Sequence, residues 1–178
     1  PGRLEGSLGD TDRLRGDPLL SFCMAPHAPY TVSDATLERV VTLAAQLDLP
    51  IHIHIHETRA EIEDSLRLHG LRPLERLHRL GILGPGLIGV HAAHLEADEI
   101  RLLAKFDCSI AHCPSSNMKL GSGIAPIVAM LEQGLRIGLG TDGAASNNSL
   151  DIFQEMRQSA LLAKAVSGNA AAVGAHDV

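Results

Sequence analysis

The stretch that most constrains this chain is Ile51-His52-Ile53-His54-Ile55-His56-Glu57-Thr58. Isoleucine and histidine alternate over six residues, and a period of two in β-branched residues predicts a β-strand. Alternation sends Ile51, Ile53 and Ile55 to one face and His52, His54 and His56 to the other. A single histidine on a strand is ordinarily a hydrogen-bonded polar residue. Three on one face are harder to place, because burying three imidazoles without partners is costly. They call for hydrogen bonds, water or a metal, and the rest of the chain has to supply the other ligands.

Around this strand the sequence reads as strand followed by helix, five times. Strands are predicted at 19–25, 51–56, 87–91, 108–112 and 135–141. The first helix opens on a capping box at Thr31 to Asp34, runs through Leu37, Val40, Val41 and Ala44, and stops near Asp48 ahead of Pro50. Further helices are predicted at 58–68, 73–80, 96–105, 125–133 and 150–165. Residues 1–18 read as a charged connector, the segment 113–126 as a long loop, and the tail after Ser167 as the start of another helix. The connections are long enough for parallel crossovers, which makes the chain α/β. Short apolar strands are expected where both faces of a sheet are covered. An open doubly wound sheet fits, and so does part of a (β/α)8 barrel.

The polar residues gather at one place in each unit. His27 follows the first strand; His54, His56 and Glu57 end the second; His91 and His94 end the third. His112 and Ser115-Ser116-Asn117 follow the fourth, and Asp142 and Ser146 the fifth. Barrels and open α/β sheets both build their sites at the C-terminal ends of strands. Neutral imidazoles and a carboxylate are good zinc ligands, and a metal ion with an open position makes water nucleophilic at neutral pH. A nearby carboxylic acid can then move protons.

Other chemistries fit less well. Gly138 to Gly143 matches G-x-G-x-x-G, but Asp142 inside it would repel a pyrophosphate. Cys108, His112 and Cys113 lack a second Cys/His pair at zinc spacing, and no G-x-S-x-G elbow is present. A formal net charge of -6 argues against a nucleic-acid or membrane-surface role, and 2% aromatic residues against base-stacking. Three cysteines imply no disulfide framework, so the expected setting is the reducing cytoplasm. The chain shows neither a membrane span nor a signal peptide.

The strings APHAPYTVSD, HIHET, HAAHL, CPSSNMKLGSGIAP and GTDGAASNNSLDIFQEMR together resemble the amidohydrolase superfamily, most closely its 5-methylthioadenosine/S-adenosylhomocysteine deaminases, near the chlorohydrolase-like group. The resemblance spans nearly the whole chain and implies a metal-dependent (β/α)8 barrel. It makes His54 a metal ligand, which spacing alone could not prefer over His56. Glu57 then protonates the purine ring nitrogen next to the attacked carbon, and His91 helps hold the attacking hydroxide or the departing group. Asp142 binds metal and takes the water's proton. His27 and Ser146 match substrate-contacting positions, and Arg3 one that meets the amino-acid carboxylate of S-adenosylhomocysteine. His94, His112 and Asn117 shape the site. The implied cofactor is one divalent metal, zinc first, with iron(II) or manganese(II) as alternatives.

The family's first strand carries an H-x-H pair that supplies two further ligands, and no such pair precedes residue 52 here. A whole barrel takes about 250 residues. The 178-residue chain is therefore expected to be an incomplete barrel domain, about strands four to eight, from a longer enzyme. Its open sheet edges invite pairing, including into a homo-oligomer. The implied function is hydrolytic deamination at C6 of an adenine nucleoside (5-methylthioadenosine, S-adenosylhomocysteine or adenosine), a small-molecule reaction without nucleic acid or membrane. The alternatives are the same chemistry on another purine, triazine or pyrimidine ring, and a catalytically incomplete half-barrel that is inactive alone.

Overall fold

The computed structural model describes residues 17–178. In chain order the elements are α1 Asp34–Leu47, β1 Ile51–Ile55, α2 Arg59–His69, α3 Pro73–Arg79, β2 Leu87–His91, α4 Ala97–Lys105, β3 Ser109–His112, α5 Pro114–Leu120, α6 Ile127–Glu132, β4 Arg136–Leu139 and α7 Ile152–Ser167. Local chemistry sets many of these boundaries. Ser33, Thr58 and Asp151 accept backbone N–H groups at the starts of α1, α2 and α7. Glu96 and Glu99 close a reciprocal capping box on α4.

The four strands form one parallel sheet in the order β1-β2-β3-β4. Ile51, Ile53 and Ile55 of β1 join Leu87 of β2 and Ile110 of β3 on one face. Against them pack Leu37, Val40 and Ala44 of α1, Leu74 and Leu77 of α3, Ile100 and Leu103 of α4, and Ile127 and Met130 of α6. Each fully buried isoleucine contributes about 2–3 kcal/mol by removal from water. Gly89 lies within this packing: a Cβ there would sit 2.5 Å from Ile55 Cδ1.

On the opposite face His52, His54, Ser109 and Ala111 stay half-buried. The helices thus cover one face, not both as the apolar strands suggested. A parallel sheet whose order never reverses, with helices on one side, is a segment of a (β/α)8 barrel. A doubly wound sheet reverses its order at a switch point.

Three other expectations are corrected. Residues 19–25 form no strand; Met24 alone bridges to Ile51, and Leu19 is 90% exposed. That segment pairs with β1 on one side only, and Pro26 and Pro29, just beyond it, lack the N–H groups that further pairing would need. The loop after β3 contains α5, which has Pro114 at its first turn and the left-handed Gly121 at its end. The tail after Gly168 forms turns and no helix. Among the described residues no helix is long and apolar enough to cross a membrane.

Candidate active site

The three histidines of the opening strand part company where β1 ends. His52 and His54 keep the alternation. His56 has a φ of 50° and leaves it, so its side chain turns into the helix layer and is fully buried. There its Nε2 accepts the Leu74 N–H at 3.0 Å, and its Nδ1 lies 3.3 Å from the His94 carbonyl oxygen. Arg72, which starts α3, makes no side-chain cap, so the imidazole of His56 performs that task. Burial pushes the His56 pKa down to about 4, which leaves the ring neutral near pH 7. The expectation that all three histidines share one face is thereby corrected. The turn that re-aims His56 is clamped by Glu61, whose carboxylate accepts the His56 and Glu57 N–H groups at 3.2 and 2.8 Å.

His91 makes the reverse exchange. By register it pairs with Ile55, whose side chain lies in the helix-side core. Its φ is 70°, and its ring instead stacks on His54, with centroids 5.3 Å apart and planes 22° from parallel. On the other side of His54, the His27 ring lies 5.0 Å away. His27, His54 and His91 therefore stand side by side, although only His54 reaches its place by plain alternation.

Hydrogen bonds fix how these rings present their nitrogens. His54 Nδ1 lies 2.6 Å from the His27 carbonyl oxygen, which can only accept. Nδ1 therefore carries a proton, and in the neutral ring Nε2 is the nitrogen with the lone pair. In the same way His91 Nδ1 donates to Asn117 Oδ1 at 2.8 Å, leaving Nε2 as an acceptor 3.8 Å from Glu57 Oε2. The Thr31 hydroxyl donates to the Ala28 carbonyl and so accepts from His27 Nδ1 at 2.9 Å.

Asp142, with a φ of 60°, follows β4. Its Oδ2 accepts from Ser116 Oγ at 2.6 Å and Ser146 Oγ at 2.7 Å. Burial pushes its pKa up, but the hydroxyls of Ser116 and Ser146, with the Gly143 N–H and the His91 ring, together hold the carboxyl below its usual value. Ser146, expected to contact substrate, here donates its one proton to Asp142 at 2.7 Å, with the Gly143 carbonyl also in reach at 3.0 Å. Arg3 lies outside the described residues. His112 follows the alternation of β3 to the helix side, where burial first and then His91 push its pKa down to about 4. Its Nδ1 has no hydrogen-bond partner among the described residues.

Some contributors were noted in the sequence without a defined role, or not marked at all. Ser116 and Asn117 sat in a segment read as loop; α5 aims them at Asp142 and His91, and its Pro114 and Gly121 were the legible signal. Arg76 of α3 is buried and holds the His27 loop by donating to the Pro29 and Val32 carbonyls and to Asp34. Nothing in the local sequence marked it.

The donor set suits a divalent cation in part. His54 offers a free Nε2 whose opposite nitrogen is fixed by a carbonyl, the arrangement that metal-binding histidines adopt. Asp142 is held ionised. A catalytic zinc site takes three protein ligands, and among the described residues no three His, Cys, Asp or Glu side chains converge on one point.

A family model described as "Amidohydrolase family" matches residues 8–177. A 5-methylthioadenosine/S-adenosylhomocysteine deaminase of Teredinibacter turnerae is 50% identical over 165 residues, 93% of this chain and 37% of that protein. An adenosine deaminase from Xanthomonas campestris, crystallised with bound zinc, superposes with a TM-score of 0.92 at 51% identity, over 93% of this chain and 38% of that one. A mutant atrazine chlorohydrolase from Arthrobacter aurescens, complexed with zinc and atraton, superposes with a TM-score of 0.86 at 25% identity, over 93% and 37%. The chain thus spans under two fifths of the length of each protein it matches here.

Proposed function

The chain belongs to the amidohydrolase family, and from that premise we propose that the protein deaminates an adenine nucleoside by hydrolysis: water adds at C6 and ammonia leaves. The candidate substrates are 5-methylthioadenosine, S-adenosylhomocysteine and adenosine. The observation that carries the reading is the pairing of a shielded acid with an oriented base-like ring. Glu57 lies beside the acceptor nitrogen of His91, and that ring stacks on His54.

His54 and Asp142 would hold one divalent cation, zinc first, together with donors beyond the described residues. When bound, such an ion makes water nucleophilic at neutral pH. Asp142, kept ionised by Ser116 and Ser146, accepts the proton of the attacking water. Glu57 delivers a proton to the ring nitrogen beside C6, which draws electrons from that carbon. His91 Nε2 accepts a hydrogen bond from the attacking water or the departing amine. His27 and Ser146 flank the substrate, and Arg3 meets the carboxylate of S-adenosylhomocysteine when that is the substrate. All three cysteines are unpaired, in keeping with a cytoplasmic setting.

The complete protein, incubated with the three nucleosides, should release ammonia, and a Glu57→Gln variant should not. Undiminished turnover in that variant would sink the mechanism. The likeness to a triazine chlorohydrolase favours a second reading, the same hydrolysis on another aromatic ring. A substrate profile including triazines and pyrimidines separates the two. An Arg3→Ala change should harm S-adenosylhomocysteine turnover more than adenosine turnover; equal effects would remove the carboxylate role.

A further inference from the structure

Glu57 presents two distinguishable oxygens. Oε2 faces His91 Nε2 at 3.8 Å, and Oε1 lies 3.3 Å from Ser122 Oγ. Among the described residues no other side chain donates a hydrogen bond to this carboxylate. Ser122 is buried in the turn between α5 and α6. Its backbone is held at both ends: the N–H donates to the Asn117 carbonyl at 2.9 Å, and the carbonyl accepts from His94 Nε2 at 2.5 Å. The next residue, Gly123, has a φ of +133°, and a Cβ there would lie 2.8 Å from the His94 ring. Glycine alone lets the turn rest on that imidazole. Asn117 is a shared anchor, since its side chain also fixes His91. One residue therefore positions the neighbour of each Glu57 oxygen.

We infer that Ser122 is a positioning residue for Glu57: its hydroxyl engages Oε1 and leaves Oε2, on the His91 side, as the oxygen that carries and delivers the proton. The hydroxyl has one proton, and donating it to Oε1 makes that oxygen the poorer seat for another. The other groups that act on Glu57 or feel its charge are His91, Tyr30, Glu61 and Cys113, and none donates to Oε1. A contact of 3.3 Å is long for O–H···O, as is common for catalytic hydrogen bonds that tighten only around substrate. The inference rests on the reading of Glu57 as the proton shuttle.

The test uses Ser122→Ala and Ser122→Thr in the complete protein with 5-methylthioadenosine. Losing one hydrogen bond to a charged group should lower kcat about tenfold, with KM within about twofold. The threonine, which keeps a hydroxyl, should restore most of the rate. The pH limb governed by Glu57 should move upward in the alanine variant, because the lost bond favoured the ionised form. Carboxyl ¹³C NMR supplies a reading that needs no turnover: the Glu57 signal, recognised by its absence in Glu57→Gln, should titrate at higher pH in Ser122→Ala. An alanine variant with unchanged kcat, pH limb and carboxyl titration, while Glu57→Gln is inactive, overturns the Ser122 role and leaves the deaminase reading intact. If the unaltered protein releases no ammonia, the deaminase reading fails, and the carboxyl titration alone decides whether Ser122 acts on Glu57.

Discussion

Replacing His56 by alanine should cost stability, not metal. The ring is fully buried and accepts the Leu74 N–H at 3.0 Å, the one side-chain partner found at the start of α3. Its loss orphans that donor, at about 1–3 kcal/mol. The vacated ring volume adds roughly 1–2 kcal/mol if the layer cannot collapse. The His94 carbonyl loses little, because Arg72 still donates to it at 2.9 Å. The sum is about 2–5 kcal/mol, which lowers Tm by several degrees. Thermal unfolding of the complete protein at neutral pH, with zinc content measured well below Tm, gives the reading. His56→Gln should recover part of the loss, since an amide oxygen can accept the same N–H. His54→Ala is the mirror control: it should melt within about 2 °C of the parent, as expected for a half-exposed site, and hold less zinc. If His56→Ala stripped the metal and left Tm unchanged, the claim that the left-handed turn takes His56 out of the site would be wrong.

Removing both hydroxyls that hold Asp142, in a Ser116→Ala/Ser146→Ala double variant, should weaken zinc binding by roughly 10–100-fold; competition with a fluorescent chelator measures it, and unchanged affinity would deny those serines a role. The pKa of His112 is depressed to about 4 from the usual 6.5, so the neutral ring stabilises the fold fully above pH 6.5. That contribution is lost as pH falls towards 4, about 2 kcal/mol of it by pH 5; urea unfolding at pH 7 and pH 5 should show the loss, and His112→Gln should remove this share of it while leaving the similar share of His56. Gly89→Ala places a Cβ 2.5 Å from Ile55 Cδ1. The required shift should cost about 1–3 kcal/mol, read as a lower urea midpoint, and an unchanged midpoint would mean that Ile55 repacks freely.

Much of the fold was legible from sequence, for physical reasons that act locally. A period of two placed β1, and the helical spacing of Leu37, Val40, Val41 and Ala44 ahead of Pro50 placed α1, although its cap is Ser33 and not the expected Thr31; apolar runs placed β2 and β3. The segment 19–25 misled because its apolar residues look like strand, whereas pairing depends on a neighbour and a cover that sequence cannot display. The short α5 was missed because seven residues carry too little periodicity to outweigh a serine- and glycine-rich composition.

The sequence by itself determined that histidines and carboxylates collect at the C-terminal ends of successive strands, and through family resemblance it proposed which of them do chemistry. It could not decide which way those side chains face. That was left to single left-handed residues at the strand ends: His56 turns out of the site, and His91 turns in to stack on His54. Periodicity assigns faces only while the backbone stays extended. One positive φ exchanges the faces, and groups outside the strand hold that φ in place: the Glu61 clamp from the next helix on one turn, and the distant Asn117 anchor on the other.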